Sequence, residues 1–308
     1  MADKQVLKIG HMKITDHLIL GVTKDKLDKG KEIFQHCSIE TVAKTGWNEV
    51  DQGLCDGSLD AAFILAPMAM DTFKSGIGIK LVLLGHKNGS VFIKSKKANI
   101  SKIEDFKGKT VIIPYQLSIH HLLLHKMLTE KGLSCGAGKD VMLEVFAPSQ
   151  IAEAMEYDEE GEIGGFIVAE PFGSQVIKLG YGEEFCLSKQ LWPNHPCCVF
   201  VVKDDVLANN ENAVYELVKS LNDSGQFITN NPKEAAKIGA EFLSQDVDVI
   251  ERVLSNPVDR VKTSELMPVI EDLDKIQEYM TSSMGVMRSK IDMTKLVELK
   301  FAKAAGAK

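Results

Sequence analysis

A two-lobed α/β fold, each lobe a mainly parallel sheet flanked by helices and the two joined by a two-strand hinge, is what this sequence predicts. Three observations carry the expectation. At 308 residues the chain exceeds the usual size of a single hydrophobic core. Short β-branched apolar runs alternate with stretches of helical spacing, the order that yields parallel strands with helices as crossovers. Midway, the alternation breaks at GIGIKLVLLGHKNGSVFIKS, two strand-like runs in succession that carry the chain out of the first lobe.

In order, the first lobe is expected to contain a strand at 6–10, a polar loop, a helix at 17–24, a strand at 38–42, a short helix at 47–53 and a buried strand at 61–65 before Pro67. The second repeats the logic with a strand at 110–113, a helix at 120–131, a strand at 142–146, a helix at 148–157 and a strand at 165–168. Residues 198–203 read as the returning strand. Beyond them the chain is almost wholly helical, including 214–227 and 232–243. The expected division is therefore 1–88 with 204–308 as lobe 1 and 89–203 as lobe 2. A double crossing of this kind makes a hinge, with the ligand in the cleft where the strand ends converge.

Composition bounds the function. With 44% hydrophobic and 26% charged residues, the chain has the balance of a soluble globular protein. A formal charge of −7 argues against nucleic acid as a partner. The broken basic run Lys94, Lys96, Lys97 and Lys102 reads as a solvated face. The start MADKQ lacks the apolar core of a secretory signal, so the expectation is either a cytoplasmic protein or a mature domain whose export signal is absent from this chain. Six cysteines show no CxxC or other zinc spacing and read as small hydrophobes, with no metal and no cofactor expected.

The most informative stretch is DFKGKTVIIPYQLSIHHLLLHKML, where a buried strand, a polar turn and a helix start follow one another. Such a junction aims backbone N–H groups and a positive helix end at a ligand. Gln116 and Ser118 stand there as hydrogen-bond donors, and His120 is the histidine expected to face the cleft. His121 and His125 lie one helical turn apart but lack a third ligand, so they carry no metal reading.

Five motifs give the chain a resemblance to a known family: Asp60-Ala61-Ala62 and the small-residue loop after it, IEDFKGKT at 103–110, VAEPF at 168–172, WPNHPCCV at 192–199 and NPKEAA at 231–236. Together, over nearly the full length, they resemble the type II periplasmic solute-binding proteins of the nitrate, sulfonate, taurine and thiamine-precursor group. The resemblance implies a Venus flytrap that captures a small polar or anionic organic solute and delivers it to the membrane permease of an ABC importer. A monomer outside the cytoplasm, without catalysis, suits that role. It also implies a cleft lined by Lys13, Thr15, Asp16 and His17 after the first strand, Trp47 as an aromatic wall, and Ala66, Pro67 and Met68 in a loop after the third strand. Gln116, Ser118, His120, Glu170 and His195 would come from the other side. Simpler readings stand beside these: Asp16 as a helix cap, Trp47 as core, Glu170 as a shaper of its turn. An ionised Glu170 facing the solute would demand a donor on it and repel a bare inorganic anion. His195-Pro196-Cys197-Cys198 raises the alternative of a cytoplasmic enzyme on the same scaffold, either a pyridoxal-phosphate-using thiamine-pyrimidine synthase or a menaquinone-pathway enzyme. Adjacent cysteines on a strand would point to opposite faces, one to the cleft and one to the core.

Overall fold

In the computed structural model, which describes residues 4–308, the strands that are apolar at every position take the sheet centres. The first sheet is built from β1 (Gln5–Met12), β2 (Cys37–Lys44), β3 (Ala61–Leu65), β4 (Ile79–Leu84) and a much later strand, Cys198–Lys203. AAFIL of β3 is buried at all five positions, as a strand covered by helices on both faces must be. After β5 (Lys87–Asn88), the second sheet uses β6 (Ser90–Ser95), β7 (Thr110–Ile113), β8 (Met142–Val145), β9 (Ile163–Ala169) and β10 (Gly182–Leu187). The later strand Cys198–Lys203 is β11.

Both sheets follow one plan. Their orders are β2-β1-β3-β11-β4 and β8-β7-β9-β6-β10. In each, the first three strands are parallel and the fourth is antiparallel to both neighbours. The reversed strand is the one that arrives from the other lobe.

Helices α1 (Leu18–Asp28), α2 (Trp47–Asp56) and α3 (Ala66–Lys74) connect the strands of the first sheet, and α4 (Ile119–Thr129), α5 (Ile151–Tyr157) and α6 (Phe172–Leu179) those of the second. The short α7 (Ser188–Leu191) precedes the return. The chain then runs through α8 (Asp204–Asn209), α9 (Glu211–Asn230), α10 (Pro232–Leu243), α11 (Val247–Ser255), a two-residue β12 (Val261–Lys262), α12 (Ile270–Ser282), α13 (Met293–Leu296) and α14 (Leu299–Ala304). Of these, α9 and α10 pack on α1, and α14 on β4, so the C-terminal helices enlarge the first lobe.

Several expectations need correction. Residues 198–203 are not part of lobe 2: β11 lies between β3 and β4 of the first sheet, where its apolar run CVFVVK is paired along both edges and buried. The crossings are therefore short segments around residues 85–89 and 188–197. They lie side by side, Lys87 bridging Pro196 antiparallel and Asn88 N–H donating to the His195 carbonyl at 3.0 Å, while β12 pairs with β5. Ala66, Pro67 and Met68 form no loop; they are the first turn of α3, where proline costs no hydrogen bond. Helix α2 passes Gly53 and stops at Gly57, whose φ of 78° is the left-handed conformation that ends helices. The pair α6 and β10 was not anticipated.

The lobes are closed on each other. Thr15 gives both its backbone N–H and its Oγ1 to the Glu170 carbonyl, each at 2.8 Å. Lys178 on α6 reaches Asp246 at 2.8 Å and Asp248 at 2.9 Å beside α11.

Candidate solute site between the lobes

Burying polar atoms without partners is costly, so where they collect is informative. Among the described residues, nine buried side-chain polar atoms have no hydrogen-bond partner, and six surround one place: Asp16 Oδ1, His17 Nε2, Trp47 Nε1, His86 Nδ1, His120 Nδ1 and His195 Nε2. They come from the turn after β1, the start of α2, the first crossing, the start of α4 and the second crossing. His17 packs edge-on to Trp47 with ring centroids 5.9 Å apart. His86 lies near enough to His17, His120 and His195 for its charge to disfavour protonation of each.

Backbone geometry sets the polarity of these atoms. His17 Nδ1 lies 2.9 Å from the Met12 N–H and 3.2 Å from the Met12 carbonyl; the shorter contact, with the ring accepting, assigns the proton of the neutral ring to Nε2. Trp47 Nε1 is a donor by nature. His195 Nδ1 lies 3.3 Å from the Pro196 carbonyl, an acceptor, so its Nε2 is the bare nitrogen. His120 shares Nε2 with Ser90 Oγ at 2.9 Å and keeps Nδ1 free. The cleft thus offers donors at His17 and Trp47 and acceptors at His195 and Asp16.

Burial keeps most of these rings neutral. It pushes the His120 and His195 values down to about 3 and holds His17 well below the ordinary histidine range. His86 is the exception. Burial opposes its cation too, but the Asp16 carboxylate, 2.9 Å from Nε2, outweighs that and lifts His86 to about 10. Burial pushes the Asp16 carboxyl up, against the pull of His86. Gly89 closes over this pair: a Cβ there would lie 2.7 Å from Asp16 Oδ1 and 2.8 Å from His86 Nδ1.

Beside the pair lie two thiols. Cys197 precedes β11 and Cys198 begins it, so strand alternation does not separate them, and both sulfurs join Asp16 and His86 in a fully buried cluster. The hydrogen bond from Cys198 draws the Cys197 thiol down to about 7, while burial holds Cys198 up.

The expected site residues divide. Asp16, His17, His120 and His195 are buried around His86, Trp47 packs on His17, and Asp16 caps no helix. Thr15 spends its hydroxyl on the closure contact with Glu170. Ser118 is the cap of α4, accepting from His121 N–H at 3.1 Å and donating to the Tyr115 carbonyl at 2.7 Å. Gln116 is exposed, its carbonyl accepting from His121 Nδ1 at 2.8 Å. Ala66 gives its N–H to the Cys197 carbonyl at 2.9 Å and Pro67 has none to offer. Lys13 is exposed, with Nζ on Ser244 Oγ at 2.7 Å. Glu170 holds structure: its Oε1 accepts from Arg260 Nη1 at 2.6 Å and Ser174 Oγ at 2.9 Å, and its Oε2 from Ser174 N–H at 2.9 Å. With both oxygens engaged, it no longer argues against an anionic solute. His86 and Arg260 were missed. The pair of glycines around His86, in GHKNG, was the available signal for a tight approach of backbone.

Comparison with known proteins agrees with this architecture. A model of the NMT1-like family matches residues 1–244. The nitrate/nitrite binding protein NrtA of Nostoc sp. is 25% identical over 274 residues, covering 81% of this chain and 61% of that protein. The bicarbonate transport ATP-binding protein CmpC of Synechocystis sp. is 26% identical over 271 residues, 80% of this chain but 39% of that one. The chain thus spans between two-fifths and three-fifths of these relatives. Among solved structures, the ligand-binding component of an ABC-type import system from Staphylococcus aureus, with zinc bound, superposes with a TM-score of 0.87 at 25% identity, covering 98% of this chain and 99% of that one. The periplasmic nitrate-binding protein NrtA from Synechocystis does so with a TM-score of 0.86 at 18% identity, covering 98% and 88%. With the two-lobed fold in place and a family model spanning well over half its length, this chain belongs to the NMT1-like family.

Proposed function

We propose that the chain is the substrate-binding component of an ABC importer, closing its lobes on a small solute outside the cytoplasm and passing it to a membrane permease. The observation that carries this reading is the set of unpartnered buried atoms contributed by both lobes and both crossings, a mixed donor and acceptor set that a small polar molecule would satisfy. Names of relatives, nitrate-, bicarbonate- and sulfonate-binding proteins among them, support the same role.

The polarity of the cleft narrows the solute. Donors at His17 and Trp47 call for an oxygen or nitrogen acceptor, and acceptors at Asp16 and His195 call for an O–H or N–H. The solute is therefore small, neutral or singly negative, and carries both. Hydrogencarbonate and hydroxy- or amino-substituted small acids have that pattern, whereas nitrate has acceptors alone. Thermal shift and calorimetry against nitrate, hydrogencarbonate, plain and hydroxylated sulfonates, small carboxylates and pyrimidines test it. A true solute at a hundred times its Kd should stabilise the fold by about 2.7 kcal/mol. Preference for acceptor-only ions would refute the assigned polarity, and chemical alteration of a bound molecule would refute a pure binder.

A further inference from the structure

The geometry points to a metal site in the floor of the first lobe, in which Asp16, His86, Cys197 and Cys198 hold one thiophilic divalent cation such as Zn2+. The four side chains are fully buried and their candidate ligand atoms all lie within 4.8 Å of one another. Asp16 Oδ2 stands 2.9 Å from His86 Nε2 and 4.0 Å from Cys198 Sγ. Bonds of 2.0–2.3 Å at tetrahedral angles separate such atoms by roughly 3.3–3.8 Å, so the observed separations bracket those a zinc ion imposes.

Contacts within the cluster suit an ion better than they suit one another. His86 Nε2 faces an acceptor, Asp16 Oδ2, and also a donor, the Cys198 N–H at 3.3 Å. A single nitrogen cannot donate to one and accept from the other. As a metal ligand it points its lone pair at the cation and needs neither. Two thiols, a carboxylate and an imidazole are the donors of closed zinc sites. They arrive from three distant segments, the turn after β1, the first crossing and the start of β11, so one ion would tie the hinge to the sheet beneath it. The site requires no solute, and its test reads independently of solute binding.

That test is titration of Co2+ into the full chain after dialysis against a chelator. The expected result is the visible absorption of tetrahedral Co2+ with a thiolate-to-metal charge-transfer band, saturating at one equivalent and displaced by Zn2+. Cys197→Ser and Cys198→Ser should each lose about half of the charge-transfer intensity, one of two thiolates being gone, while Cys186→Ser loses none. Asp16→Asn keeps both thiols and nearly the same shape, so it guards against misfolding; its band should persist with affinity weakened by more than about tenfold. No thiolate band in the native chain, or a band that survives in the Cys197→Ser/Cys198→Ser double variant or disappears in Cys186→Ser, would overturn the assignment.

Discussion

Replacing Arg260 with methionine should uncouple the lobes by stranding a buried charge. Arg260 is 3% exposed and Glu170 fully buried, with Nη1 to Oε1 at 2.6 Å; Nη2 holds Glu184 Oε2, also at 2.6 Å, and Nε donates to the Asn256 carbonyl at 2.8 Å. One guanidinium from the C-terminal part of lobe 1 thus pairs with two carboxylates of lobe 2. Removing one partner of a buried pair costs about 3–5 kcal/mol, since the other must stay charged without a counterion or take up a proton. That is a large share of a domain's stability, typically about 5–15 kcal/mol. The pH dependence follows. Burial already pushes the Glu170 carboxyl up, with Arg260 opposing. Without the arginine the folded-state value rises further above the unfolded one, so the variant's stability is greatest at low pH and falls as pH rises through the new folded value. Denaturant unfolding at pH 5 and pH 8 would show a smaller deficit at pH 5. The Arg260→Met/Glu170→Gln double variant should recover most of the loss, because the fully buried carboxylate is gone and Glu184, partly exposed, can be solvated. A single-variant cost below about 1 kcal/mol, or a double variant no better than the single, would refute the reasoning.

Other outcomes follow from separate features. Gly225 sits inside α9 where an added Cβ would lie 1.9 Å from the Thr263 carbonyl oxygen, so Gly225→Ala should cost more than about 2 kcal/mol in chemical denaturation. Thr15→Val removes the hydroxyl half of the closure contact; losing one such bond, about 1 kcal/mol, should weaken solute affinity roughly fivefold by calorimetry without lowering the stability of either lobe. His11, pushed down to about 4 by burial, stays neutral in the fold and protonates first in the unfolded chain. Its contribution is complete above about pH 6.5 and is lost as pH falls toward 4, on the order of 3 kcal/mol; His11→Gln should flatten that part of the stability curve, and an unchanged slope would contradict it.

Much of the fold was legible because its strands are self-contained signals. TVII and AAFIL are short, apolar and bounded by turn residues, and α10 begins at a proline and carries a clear apolar face. Membership of β11 was not legible: an apolar run tells that a strand is buried, not which of two sheets buries it. The same limit applies to the site. Residues at strand-to-helix junctions, Asp16, His17 and His120, could be picked out by position, and Trp47 by type. Ser118 and Glu170 stand at equally good positions, yet local backbone N–H groups and a guanidinium ninety residues away claim them. The cluster of Asp16 with His86, Cys197 and Cys198 has no sequence spacing at all, since the fold alone brings the hinge and the return strand together.

The most direct test of the central claim is to follow the imidazole 15N resonances of the selectively labelled chain while adding the solute that stabilises it best. Solute held between the lobes should shift His17, His120 and His195 together with saturation at one equivalent, and leave the exposed His36 unmoved. Saturable binding that leaves those three rings unchanged would place the solute elsewhere and contradict the account.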